Sequence, residues 1–142
     1  MDSDEKIISQ ILLHLDGWIL DTDLTETMTG AEYNKIVQVD EVLSYYDVAY
    51  NYALAYTKRD DFPTITSEII INEETVEETN FIKPISTALY LWCAGLLWNK
   101  YNIRSNNQID ETNSSFFGYG DKLIIQAKEM LKSFKNYKFY AY

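Results

Sequence analysis

The chain has 142 residues, 46% of them hydrophobic and 24% charged, with 5 Gly and 2 Pro. That is the length of one domain with an ordinary globular balance, and too few glycines and prolines for a β-architecture full of tight turns. A net charge of −10 argues against gripping duplex DNA with a basic face, because phosphate contacts need Lys and Arg.

Ser3 is placed to cap a first helix whose first turn holds Asp4 and Glu5, the favoured sign at that end. Ile8, Ile11, Leu12, Leu15 and Ile19 recur at helical spacing. Gly17 marks the weakening of that helix, with Trp18 folding back onto the core. Residues 21–31 are polar and rich in cap formers, so a loop is expected there. A second helix is predicted over Tyr33 to Thr57. Its apolar stripe includes Ile36, Val42, Ala49 and Ala53, with Tyr45, Tyr50 and Tyr52 largely off it. Those tyrosines read either as the amphipathic border of a half-buried helix or as contacts to a neighbouring subunit. Asp60-Asp61-Phe62-Pro63 ends the helix.

Thr64 to Ile71 is β-branched and fits a short strand, while Glu68 to Asn80 fits a short acidic helix equally well. Glu73, Glu74, Glu77 and Glu78 have the spacing of a carboxylate cluster. No histidine accompanies them and no calcium-loop pattern surrounds them, so a solvated acidic face is expected and no metal.

Phe81 to Tyr101 reads FIKPISTALYLWCAGLLWNKY, and Ile85 to Trp98 holds no charge. A helix that is apolar on every side must be covered on every side. The stretch from Ile85 to Trp98 is 14 residues, shorter than the roughly 20 that a bilayer span needs. A central core helix is predicted, opened by Pro84 and with Lys83 before it outside the helix, and no membrane partner. Asn102 to Phe117 follows as a long polar loop. Gly118-Tyr119-Gly120-Asp121 is predicted as a turn, with Asp121 as N-cap of a last helix. Leu123, Ala127, Met130, Leu131 and Phe134 make its stripe. The chain closes on Tyr137, Phe139, Tyr140 and Tyr142, too apolar for a free tail.

The fold class expected is mainly α: a small helical bundle of about four helices around the central apolar helix, with a long loop and one short extended segment. Residues 1–32 form an acidic N-terminal segment, 33–135 the helical core and 136–142 the aromatic tail of a single domain.

Charge is uneven along the chain. Residues 1–80 carry 18 acids against 4 bases, and residues 121–142 carry 2 acids against 5 bases. An acidic front and a basic end attract each other, within a chain or between neighbours. The 12 tyrosines suit protein interfaces, and equally the codon bias of an AT-rich genome.

No reactive constellation stands out. His14 is the single histidine and Cys93 the single cysteine, too few for a zinc site. Cys93 lies in the apolar helix, where inert cysteines lie, and has no basic partner nearby in sequence. The glycine turn lacks the Gly-Lys-Ser/Thr ending of a phosphate loop. No cofactor and no enzymatic activity are therefore expected, although 22 acids leave room for an unrecognised carboxylate pair. The acidic opening Met1-Asp2-Ser3-Asp4-Glu5 has no basic n-region, so an intracellular, reducing compartment is expected.

The order of these pieces is distinctive. A tyrosine-rich helix ends at Phe62-Pro63, and an apolar helix runs from Pro84 to Trp98-Asn99-Lys100-Tyr101. A polar loop leads to Phe116-Phe117-Gly118-Tyr119-Gly120, and an amphipathic helix runs over Lys122 to Leu131. Over residues 33–135 this layout resembles the small head–tail connector, or head-completion, adaptors of tailed viruses and integrated proviruses. The resemblance implies a virion protein of the head–tail junction, made in the host cytoplasm. Such adaptors form a ring, typically of twelve copies, beneath the portal. The ring extends the DNA channel and offers a surface to the next tail component, while DNA passes without sequence-specific binding. Carried over, Asn102–Phe117, with Asn106, Asn107 and Gln108 at its polar centre, would be the projecting loop. Tyr137, Phe139, Tyr140 and Tyr142 would be the docking tail. The rival expectations are a small cytosolic helical interaction module, dimeric through its tyrosine faces, and an enzyme built from scattered acids.

Overall fold

The computed structural model describes residues 3–15, 18–21, 36–105 and 114–136; of residues 102–105 and 114–117 it describes the backbone alone. The fold is mainly α, with four helices and two small two-stranded sheets among the described residues.

Helix α1 spans Asp4–Leu12, and Ser3 caps it by accepting a hydrogen bond from the Lys6 N–H at 3.3 Å. Ile7, Ile8 and Ile11 are its buried face. Beyond it Trp18 is buried, stacked on Trp98 at 6.0 Å and set edge-on to Tyr101 at 4.9 Å. The chain then makes a two-residue strand β1, Ile19–Leu20, which pairs in parallel with β2, Ile36–Val37.

Helix α2 spans Val39–Thr57. It begins later than the stripe suggests, because Ile36 and Val37 are extended; the expected start at Tyr33 lies outside the described residues. Ile36 lies in β2, and the buried stripe is Val42, Ala49, Ala53 and Thr57. The Thr57 hydroxyl is buried and donates to the Ala53 carbonyl at 2.8 Å. At the helix end Lys58 turns left-handed (φ 57°). Its N–H reaches the Ala55 carbonyl and the Arg59 N–H reaches the Leu54 carbonyl, a Schellman ending made without glycine.

The ambiguous acidic stretch is a β-hairpin, which removes the helical alternative for Glu68 to Asn80. Strand β3 (Thr64–Ile71) pairs antiparallel with β4 (Glu74–Phe81). Asn72 and Glu73 make the two-residue turn at φ 52° and 68°, the conformation of a type I′ turn.

Helix α3, Lys83–Ser105, is the predicted apolar helix, and Lys83 lies inside its first turn. Every residue from Ala88 to Gly95 is buried, with Leu96 half-buried. It is covered because α1, α2 and α4 all pack on it. Ile85, Ala88, Leu89, Cys93, Ala94 and Leu97 are fully enclosed.

Helix α4 spans Ser114–Leu131 and continues as a 3₁₀ turn, Lys132–Phe134. Two expectations are corrected here. The loop is not Asn102–Phe117, since α3 runs on to Ser105 and α4 opens at Ser114. Gly118-Tyr119-Gly120-Asp121 is not a helix-start turn and Asp121 is not an N-cap, because all four lie inside α4. Packing explains it. A Cβ on Gly95 would meet the Gly120 carbonyl oxygen at 2.6 Å, and one on Gly120 would overlap the Asn99 side chain. These glycines let the backbones of α3 and α4 touch, a gain that outweighs the helix-breaking tendency of glycine.

Candidate functional site

Three places concentrate exposed or charged side chains. The first is the hairpin. Residues i and i+2 on a strand share a face, so the register puts Ile65, Ile69 and Ile71 together, with Val76 opposite Ile69. Ile65 is 58% exposed, Ile71 50% and Val76 40%. On the other face Thr66 and Thr79 hydroxyls share a hydrogen bond at 3.0 Å, and Glu68 stands directly opposite Glu77. The hairpin is held at its foot. Phe81 is buried against Tyr50 and Phe62, and the Ile82 N–H reaches the Pro63 carbonyl at 3.4 Å. The four glutamates do not share the one acidic face expected: Glu74 and Glu78 lie on the isoleucine face, Glu77 on the other and Glu73 in the turn, with Glu73, Glu74 and Glu77 exposed and Glu78 half-buried.

The second place is where α4 meets α2. Lys128 Nζ lies 5.6 Å from the Trp92 ring and 5.7 Å from the Tyr56 ring, and Lys135 Nζ lies 4.2 Å from the Tyr56 ring. Cationic ammonium groups over ring faces are attracted by the ring quadrupole. The outer side of α4 is exposed at Lys122, Ile125, Glu129 and Lys132, with Ile125 57% exposed. The tyrosines of α2 divide. Tyr50 stacks on Phe81 at 5.8 Å and Tyr45 lies under Lys100 Nζ at 4.9 Å, so both are engaged within the chain. Tyr52 is 52% exposed.

The third place is the far end of α3. Lys100 Nζ meets Glu41 Oε1 at 2.6 Å, and the Tyr101 hydroxyl donates to Glu41 Oε2 at 2.9 Å. The Glu41 hydrogen bond raises the Lys100 pKa above its ordinary value, against a smaller opposing effect of burial. Nearby, Tyr119 lies edge-on to Trp98 at 4.6 Å, and its hydroxyl donates to the His14 carbonyl at 2.7 Å. This cluster ties α3 at Trp98–Tyr101 to the start of α2, and α4 at Tyr119 to the end of the N-terminal helix region.

The predicted interaction residues Asn106, Asn107, Gln108, Tyr137, Phe139, Tyr140 and Tyr142 lie outside the described residues. Their anchors are described. The tail leaves Asn136, whose N–H is bonded to the Thr57 carbonyl at 2.7 Å, and Arg59 donates to the Phe134 carbonyl at 3.2 Å. The last described residue before the tail is thus fixed to the end of α2.

Cys93 is enclosed, its thiol weakly bonded to the Val42 carbonyl at 3.7 Å, and burial pushes its pKa up, away from thiolate chemistry. Burial also lowers the His14 pKa below the ordinary imidazole value. Among the described residues no group of three or more His, Cys, Asp and Glu side chains converges, and no helix is long and apolar enough to cross a membrane. The surface clefts, of about 330 to 460 Å³, are open and of mixed lining. One lies between α1, Leu20 of β1 and the start of α2, with Asp4, Ile8 and Val39 among its walls.

Sequence reasoning missed the exposed aliphatic face of the hairpin. Its signal was present in the alternation Ile65, Ile69, Ile71 within a β-branched run, but the turn carries no glycine to announce it. The chain matches no family model, no curated protein and no solved structure.

Proposed function

We propose that this chain is a structural virion protein, a head–tail connector adaptor that forms a ring under the portal, extends the DNA channel and joins head to tail. The observation that carries the reading is an arm without a core of its own on a domain that has one. The helices already enclose α3, while β3 and β4 project β-branched side chains into solvent. Two-stranded hairpins are marginal alone in water, and domains that assemble keep such elements for a neighbour. The end of α4, from which the expected docking tail continues, is tied to α2 through the Asn136 N–H and Arg59.

A ring of identical subunits needs a patch that meets a different patch, and the chain carries unlike charges on separate elements. An acidic lumen would repel phosphates and let DNA pass without sticking. The cytosolic dimer reading loses ground, because two of the three tyrosines it would use are occupied within the chain.

Purified chain, alone and mixed with candidate portal and tail proteins from the same genome, tests the reading by native mass spectrometry and electron microscopy. Rings capping the portal, of about twelve copies if the resemblance holds, are expected. A stable dimer with no affinity for a portal would overturn it.

A further inference from the structure

Residues 137–142, Tyr-Lys-Phe-Tyr-Ala-Tyr, hold four aromatics and a single charge, Lys138. They lie outside the described residues, but the point they leave from does not. The Asn136 N–H is bonded to the Thr57 carbonyl at the end of α2, at 2.7 Å, and Lys135 Nζ lies 4.2 Å from the Tyr56 ring. The tail therefore starts beside Tyr56.

Tyr56 is one end of an apolar stripe. Back along α2, Tyr52 and Val48 follow at one-turn spacing on the same side, 52% and 38% exposed. Trp92 of α3 supports the rings of Tyr52 and Tyr56 at 6.4 and 6.1 Å. Residues 44–55 carry a single charge, Asp47, opposite in sign to Lys138. From Tyr56 to Val48 is about 12 Å along the helix, and six extended residues span about 20 Å. The neighbouring apolar surfaces fit less well. The hairpin carries five acids, and its foot packs on Tyr50, which stands roughly 200° round α2 from Tyr52. Ile125 stands among exposed Asp121, Lys122, Glu129 and Lys132.

We infer that residues 137–142 fold back along α2 of their own chain and lay their aromatic side chains over Tyr56, Tyr52 and Val48. A segment tethered at the end of the stripe meets it at an effective concentration of about millimolar, so a modest contact holds it there. Of Tyr45, Tyr50 and Tyr52, the one left exposed by the helices is then covered by the tail. The inference does not depend on the ring reading: a neighbour that takes the tail must first draw it off α2.

A nitroxide on the full chain at Ala141→Cys tests this by nuclear magnetic resonance, since Cys93 is enclosed and escapes the label. The amide signals of Val48, Asn51 and Tyr52 are expected to lose most of their intensity, while those of Ile69 and Ile125 keep theirs. Adding Phe139→Ser and Tyr140→Ser, which leaves the helical core untouched, is expected to restore the α2 signals. Isotope-enriched unlabelled chain mixed with spin-labelled chain is expected to show no loss. Loss spread evenly over α2, the hairpin and α4, loss at Ile69 or Ile125 instead, or no loss at all would overturn the docking. Loss at α2 that survives the serine substitutions would overturn the aromatic contact. Loss in the mixed sample would overturn folding back and give the tail to a second copy, leaving the ring reading to be judged by portal capping.

Discussion

Single residues in α3 decide whether the helices hold together. Leu97 is fully enclosed, so Leu97→Ala should cost about 2–5 kcal/mol through lost burial and the cavity left behind, read by urea denaturation. Two helix glycines, one in the α3–α4 contact and one outside it, should respond with opposite signs. Gly95→Ala drives a methyl against the Gly120 carbonyl and Ile124 and should destabilise by about 1–3 kcal/mol. Gly118→Ala meets nothing within 4 Å and should stabilise by up to about 1 kcal/mol through helix propensity. Thermal melts of the two variants separate close packing from mere helix preference. Lys100 gives a pH signature. Its pKa is raised by Glu41 on folding, so its contribution is full below the unfolded lysine value of about 10.4 and fades as pH rises through the folded value. Stability measured from about pH 9 upward should fall faster in the native chain than in Glu41→Gln, and the difference between the two, full near neutrality, should close as pH rises through the folded value. With the Lys100 side chain 25% exposed, solvent screening keeps that pair modest.

Among the elements, helices were legible and connections were not. Ser3, Pro84 and the Phe62-Pro63 stop were readable because caps and breakers act locally. The hairpin was not, since Asn72-Glu73 adopts positive φ without glycine. Glu at a left-handed position carries strain of about 1–2 kcal/mol, and a local reading assigns the turn elsewhere. Glu73→Gly should therefore tighten the hairpin, seen as slower hydrogen exchange at the β3–β4 amides and a melting gain of no more than about 1 kcal/mol. Gly118 to Asp121 misled in the opposite sense. Two glycines around an aromatic look like a turn, and only the approach of α3 reveals why Gly120 stands inside a helix.

For the whole molecule, the outer hairpin is separable from the core. Replacing residues 67–78 by a short glycine turn keeps Phe81 and the Pro63–Ile82 bond at the foot. The shortened chain should melt within a few degrees of the native one and lose self-association, a split that sedimentation and calorimetry report together. What the sequence by itself determined is the mainly helical class and the burial of α3, because fourteen consecutive uncharged residues at helical spacing leave no solvent-facing side. It also marked which segments carry acid and which carry base. Only the tertiary structure decided that residues 64–81 fold as a projecting arm, that two tyrosines of α2 are spent within the chain, and that the glycine pair is a helix contact. Those outcomes depend on which surfaces meet across long separations in the chain, and periodicity within one segment holds no information about the partner that will cover it.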